Sequence, residues 1–360
     1  MTIKIATVFS GIGAAEQALK RLNLNHEIAF ACDIDKYVKQ TYFANYDISS
    51  DKWYDDIFEI DGKKYKNKID LLIGGSPCQS FSMVGKRKGL EDNRGMLVYE
   101  FIRLIDEIKP KIFIFENVKG ILTHDKGETW KKLKKEFINS GYSLSHQVLN
   151  AKNYGIPQNR ERLFVVGFLK EKKFEFPKPL ELKITMQDLL EDLPLIKYFL
   201  PEKGIKFVTN ENKLKKKYTQ INGDIAICQK ANQQFNWHGD FVTQDINRYY
   251  LSDKIQKYVM SEGTKNFKSK PKTDLLIARP LLSTMAKMHR AGVDNYVTRN
   301  NRLRKLTPRE CLRLMGFPDS FKIVVSDTQM YKQTGNSIVV DVLVNIFMNM
   351  YEGTKNEIWK

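Results

Sequence analysis

Ile3-Lys4-Ile5-Ala6-Thr7-Val8-Phe9-Ser10-Gly11-Ile12-Gly13 decides the fold. A short apolar, β-branched run ends in a glycine turn, and an Ala-rich stretch of helical character follows. A strand that turns tightly into a helix is the opening unit of an alternating α/β sheet. Similar runs recur at 28–32, 70–73, 112–115 and 163–168. Between them Val98, Phe101, Ile102, Ile105 and Ile108 keep helical spacing. The alternation predicts a mostly parallel sheet, and fully apolar strands fit burial on both faces. The style returns after residue 305. Thr307-Pro308-Arg309-Glu310 predicts a helix start: Thr307 as N-cap, Pro308 at the first helical position and Glu310 closing a capping box. Gly316 and Pro318 end that helix, and 339–350 predicts a second, largely apolar one.

The chain has 360 residues, enough for two domains or one large domain with an insertion. With 42% hydrophobic and 28% charged residues it is neither disordered nor fibrous. The 59 Lys and Arg outweigh 42 Asp and Glu, and a net charge of +17 favours a polyanionic partner. Residues 197–305 hold 22 Lys and Arg against 9 Asp and Glu, so most of the excess sits in one polar stretch. Lys213, Lys215, Lys216 and Lys217 cluster there, as do Lys265, Lys268, Lys270 and Lys272. An α/β body therefore spans 1–175, a basic segment interrupts it at 176–303, and the body resumes over 304–360. Cys32, Cys78, Cys228 and Cys311 form no CxxC pair, which argues against a zinc site or a disulfide framework and suits a reducing compartment. Neither a signal peptide nor a membrane span is expected.

Candidate chemistry lies at the carboxyl ends of the strands, where open α/β sheets bind ligands. The 9–13 turn lets a ligand approach the backbone at a helix N-terminus. Asp33 ends the next strand, at the offset suited to ribose hydroxyls, and Ile34 is placed to pack on a purine. These features indicate a nucleotide-type cofactor without separating a dinucleotide from S-adenosylmethionine. Gly74-Gly75-Ser76-Pro77-Cys78-Gln79 follows a strand, and a cysteine on such a loop is a candidate nucleophile, active as thiolate. The 83–96 stretch, with three glycines and four Lys or Arg residues, reads as a mobile cationic segment able to close over phosphates. Glu116, in Glu116-Asn117-Val118, is a semi-enclosed carboxyl suited to acid catalysis. In Gln158-Asn159-Arg160-Glu161-Arg162, alternation points Arg160 and Arg162 to one side if the stretch is extended. Two guanidinium groups there suit an anion or a base carbonyl.

In this order, Pro77-Cys78-Gln79, Glu116-Asn117-Val118 and Gln-x-Arg-x-Arg resemble the cytosine C5 DNA methyltransferases of bacterial restriction–modification systems. The resemblance also takes in 9–13, Asp33, 304–321 and Gly335-Asn336-Ser337. It implies a Rossmann-like, S-adenosylmethionine-dependent methyltransferase sheet with helices on both faces, plus a smaller target-recognition domain in the segment the motifs do not cover. Cys78 would attack C6 of a flipped-out cytosine, Glu116 would bind its N3 edge and amine, and Arg160 and Arg162 would hold its carbonyl. Phe9, Gly11, Gly13, Asp33, Ile34, Asp56, Pro77, Leu97, Asn336 and Ile338 match cofactor positions, with Asp55 an alternative to Asp56. Many members have Glu where Asp33 stands and a large residue at Ile34. The resemblance also implies double-stranded DNA as partner, a cognate restriction endonuclease, a monomer and a bacterial cytoplasm. A transfer-RNA methyltransferase of the same family would carry a Cys-Phe-Thr element, which is absent. A nicotinamide oxidoreductase would explain the glycine turn alone, and a non-catalytic relative would lack Cys78 or Glu116.

Overall fold

The computed structural model describes residues 2–76, 93–191, 198, 200, 202–216, 218–230, 235–236, 239–242, 280–282, 288–289 and 304–353. The chain divides into two compact units. The first holds Met1–Leu149, Glu161–Lys178 and Val342–Lys360; the second holds Asn150–Arg160 and Pro179–Asp341. Residues 150–160 and 304–341, placed with the α/β body from the sequence, thus group with the second unit.

The first unit is built on a seven-stranded sheet in the order β3-β2-β1-β4-β5-β7-β6. The strands are β1 (Ile3–Val8), β2 (His26–Cys32), β3 (Trp53–Tyr54), β4 (Leu71–Gly74), β5 (Ile112–Val118), β6 (Ser143–Asn150) and β7 (Glu161–Phe168). Strands β1 to β5 pair in parallel, whereas β7 runs antiparallel to β5. The expected strands are all present; β3 and β6 are additional. The helices are α1 (Ala14–Arg21), α2 (Lys36–Asn45), α3 (Asn93–Ile108) and α4 (Glu128–Asn139). The helical spacing at 98–108 has its reason in burial: Val98, Phe101, Ile102, Ile105 and Ile108 pack with Trp130, Leu133 and Phe137 of α4 against Ala6, Val8, Leu72, Phe113, Phe115 and Val165. Ile5, Leu71 and Ile114, which alternate to the other face, are fully buried too, as the apolar strands predict.

The second unit has short strands, among them β8 (Thr219–Ile221), β9 (Cys228–Lys230), β10 (Phe235–Asn236) and β11 (Gly239–Val242). Further along come β12 (Pro280–Leu282), β13 (Met288–His289) and β14 (Arg304–Lys305). Helices α5 (Glu202–Val208) and α6 (Glu211–Lys215) precede them, and α7 (Pro308–Leu314) and α8 (Asp327–Asn336) follow. The reading of α7 holds in detail. Thr307 accepts from the Glu310 N–H at 3.2 Å, the Glu310 carboxylate accepts from the Thr307 N–H at 2.7 Å, and Gly316 turns the chain at φ +81°. The predicted second helix is α9 (Val340–Gly353). Among the described residues no helix is long and apolar enough to cross a membrane.

Candidate active site

The carboxyl end of β1 leads into a left-handed turn. Phe9, Gly11 and Gly13 have φ of +53°, +54° and +76°. A non-glycine residue in this region costs roughly 1–2 kcal/mol, so Phe9 must be held there. Ser10 does the holding: its N–H donates to the Cys32 carbonyl at 2.9 Å, and its hydroxyl accepts from the Cys32 N–H at 2.9 Å. The turn is thereby tied to the end of β2, next to Asp33. Asp33 in turn accepts from the Gly11 N–H at 3.0 Å and the Asp35 N–H at 3.0 Å. Ile34 follows it with 81% of its surface exposed, although it is apolar. Around Gly11 the space is open; only the Phe9 carbonyl lies near the place a Cβ would take, at 3.9 Å. An acid, an exposed apolar side chain and an open glycine turn fit the ribose and base of an adenosine-type group.

The two aspartates after β3 differ. Asp55 accepts two contacts from Lys39 Nζ, at 3.0 and 2.9 Å, and one from Trp53 Nε1 at 2.9 Å. The bond from Lys39 holds its carboxyl below the usual range. Asp56 caps a short turn by accepting from the Phe58 N–H at 3.1 Å. Leu97, on α3, is half-buried against the core.

Strand β4 ends at Gly74, and two side chains of β5 meet the backbone just beyond it. Asn117, buried, donates to Ser76 Oγ at 3.2 Å and accepts from the Val118 N–H at 2.8 Å. That tie holds the backbone one residue before Pro77. Glu116 lies against Gly75, whose added Cβ would stand 3.0 Å from Oε2. Its carboxylate pairs with Arg162 Nε at 3.2 Å, both side chains being less than one-fifth exposed. The sheet register explains the pair. Glu116 stands opposite Phe164, so Arg162, two residues along the same face of β7, is its diagonal neighbour. Asn117 is quoted in a motif from the sequence but given no task there; its tie to Ser76 appears only once β4 and β5 are adjacent.

Arg160 does not share a side with Arg162. It is 4% exposed and falls in the second unit. Its Nη1 donates to the Gln229 carbonyl at 3.1 Å, and its Nη2 to the carbonyls of Gly335 at 3.1 Å and Ser337 at 2.7 Å. The strand begins only at Glu161, so the alternation does not extend back to Arg160. Asn336, exposed, ends α8, and Ile338 is half-buried just after it, both in the second unit. Pro77, Cys78, residues 83–92, Lys217 and the cluster from Lys265 to Lys272 lie outside the described residues. Cys32, Cys228 and Cys311 are buried, and burial pushes the Cys32 thiol far above its ordinary value, which disfavours a thiolate there.

Comparisons with known proteins bear on the family. A family model described as C-5 cytosine-specific DNA methylase matches residues 3–352. The chain is 32% identical over 351 residues to the type II methyltransferase M.HhaI of Haemophilus parahaemolyticus, covering 97% of this chain and 94% of that one. It is 34% identical over 343 residues to the type II methyltransferase M.HpaII of Haemophilus parainfluenzae, covering 93% and 86%. With the orphan methyltransferase M.SPRI of Bacillus phage SPR it shares 30% over 433 residues, covering 97% of each. Among solved structures, the Entamoeba histolytica methyltransferase EhMeth superposes with a TM-score of 0.69 at 18% identity, over 98% of this chain and 99% of that one. That likeness shows the methyltransferase fold. The family model spans nearly the whole chain and the type II relatives match it almost end to end: the chain belongs to the C-5 cytosine-specific DNA methylase family.

Proposed function

We propose that this chain methylates C5 of a flipped-out cytosine within a specific short double-stranded DNA sequence, with S-adenosylmethionine as the methyl donor. The observation that carries the reading is the Glu116–Arg162 pair at the end of β5, over Gly75 and beside the backbone that leads into Cys78. Reaction at C5 and C6 needs both the face and the edge of the ring, so the base must leave the stack. Cys78 attacks C6 as thiolate while Glu116 engages N3 and the exocyclic amine, and Arg162 orients Glu116 and the ring carbonyl. Addition at C6 makes C5 an enamine-like carbon. The donor, when bound, supplies an electrophilic methyl group to that carbon. Loss of the C5 proton and elimination of Cys78 then release 5-methylcytosine, the covalent route dividing one hard substitution into easier steps.

Phe9, Gly11, Asp33, Ile34, Asp56 and Leu97 would hold the donor, and the family resemblance implies the same for Gly13, Pro77, Asn336 and Ile338. Asp56 is preferred to Asp55 because Lys39 and Trp53 already engage Asp55. Arg160, whose terminal nitrogens serve backbone carbonyls, is assigned a positioning task in place of a base contact. Residues 176–303, with their basic excess, are the target-recognition domain, holding phosphates and reading the major groove. The reading extends to a monomeric enzyme of the bacterial cytoplasm, and the type II methyltransferases among its relatives favour a role beside a cognate restriction endonuclease. Bisulfite sequencing of a plasmid from an expressing host tests the activity and the target together. Methylated cytosines at one short sequence, abolished by Cys78→Ser, are expected; unmethylated DNA from the wild-type host rejects the reading.

A further inference from the structure

Gly11 and Gly13 differ in what their missing side chains make room for. Gly11 faces open space, whereas a Cβ on Gly13 would stand 2.2 Å from the ring of Tyr46. The space beside Gly13 is thus filled by the chain itself. Tyr46, directly after α2, donates its phenol hydroxyl toward two carbonyls of the turn, Gly13 at 2.6 Å and Ile12 at 3.1 Å. One helical turn earlier, Tyr42 packs on it with ring centroids 4.8 Å apart and donates to Glu16 Oε1 at 2.6 Å. Glu16, fully buried in the first turn of α1, also lies 3.0 Å from Thr7 Oγ1, and Thr7 Oγ1 lies 2.8 Å from Ser10 Oγ. A path of contacts therefore runs Gly13, Tyr46, Tyr42, Glu16, Thr7, Ser10, and the Gly13 N–H closes it on the Ser10 carbonyl at 3.1 Å.

Ser10 carries the circuit to the end of β2 and so to Asp33 and the Gly11 N–H. The backbone of the 9–13 turn has three left-handed residues, and such a conformation persists only where its surroundings over-determine it. The hydroxyl on the Ile12 and Gly13 carbonyls opposes a return to the ordinary region. We infer that Tyr46 is the positioning residue that sets the curvature of the 9–13 turn and thereby the affinity for the methyl donor. The inference rests on the reading above that this turn binds S-adenosylmethionine.

The test compares two phenols of the first unit, Tyr46, half-buried, and Tyr142, buried. Tyr142 is a control, because it also donates to a backbone carbonyl, that of Pro110 at 2.7 Å, but belongs to the core beside Phe113. S-adenosylmethionine is titrated calorimetrically into wild type, Tyr46→Phe and Tyr142→Phe, and kcat, KM and the donor-induced rise in Tm are recorded. Loss of one neutral hydrogen bond should weaken donor binding about fivefold in Tyr46→Phe, through KM with kcat at saturation nearly preserved. Tyr142→Phe should lower the Tm of the free protein yet keep the wild-type Kd and donor-induced rise. Should Tyr46→Phe fail to fold, Tyr42→Phe takes its place, with a smaller rise in Kd expected. If the Tyr46 or Tyr42 variant keeps the wild-type Kd, the side chain is structural only and the inference is overturned. If wild type itself binds no S-adenosylmethionine, the donor reading falls and this inference with it.

Discussion

The two units solve the same backbone problem differently. In the first, strands of six to eight residues such as β1, β2, β5 and β7 satisfy their own N–H and C=O groups, so the space between them fills with apolar side chains. In the second, strands of two to four residues leave backbone groups that buried side chains must serve. Gln158 Nε2 donates to the Leu314 carbonyl at 2.7 Å, and Gln220 Nε2 to that of Ile225 at 2.6 Å. Asp240 accepts from the Ile227 N–H at 3.1 Å, and Tyr331 donates to the Leu306 carbonyl at 2.6 Å. Arg160 belongs to this set. Glu116 is different: its partner in the first unit is another side chain, Arg162.

Four substitutions probe that contrast. Glu116→Gln keeps the shape of a polar residue in the first unit but removes its proton and charge. Single-turnover methylation should slow by about 10²–10⁴-fold with DNA binding largely retained; an unaltered rate would remove Glu116 from the chemistry. Phe113→Ala attacks the apolar packing instead, since its ring meets those of Phe101, Phe137 and Tyr142. A loss of about 3–5 kcal/mol in urea unfolding is expected, and a much smaller loss would mean that the first unit leans on polar contacts after all. Arg160→Met keeps the length of the side chain while leaving the Gln229, Gly335 and Ser337 carbonyls short of a donor. It should cost about 3 kcal/mol, seen as faster amide exchange around 228–230 and 335–337. Lost turnover with unchanged exchange would instead make Arg160 a base contact.

The smallest effect concerns Glu16. Burial pushes its carboxyl above the ordinary value, against opposing hydrogen bonds from Tyr42 and Thr7 and the nearby charge of His26. A raised folded-state value means that Glu16 contributes its stability in full below the unfolded carboxyl range of about 4.3. The contribution fades as pH rises through the folded value. Glu16→Gln removes that titration, so its stability relative to wild type should increase across that window. Unfolding curves at stepped pH check this, and parallel profiles for the two proteins would contradict it.

The order of the α/β body was determined by the sequence because its signals are local. A strand buried on both faces is written as a continuous apolar run, which is why β1, β2, β4, β5 and β7 were legible at 3–9, 28–32, 70–73, 112–115 and 163–168. The capping box at 307–310 is a four-residue signal and appeared where it was expected. Strand β6, Ser143–Asn150, buries little more than Leu149 and carries no such run, and β3 has only two residues, so neither announced itself. The candidate site was legible as a set of residue types at strand ends, Glu116, Asp33 and the 9–13 turn among them. What each side chain touches was decided by tertiary structure alone. Arg160 and Arg162 are two residues apart, yet the start of β7 between them sends one to the carbonyls of β9 and the α8 turn and the other to Glu116. Asn117 finds Ser76 across 41 residues, and Tyr46 finds Gly13 across 33. Such pairs leave no periodicity in the chain, because periodicity records which face a residue is buried on, while its partner is set by which strands and helices come to lie side by side.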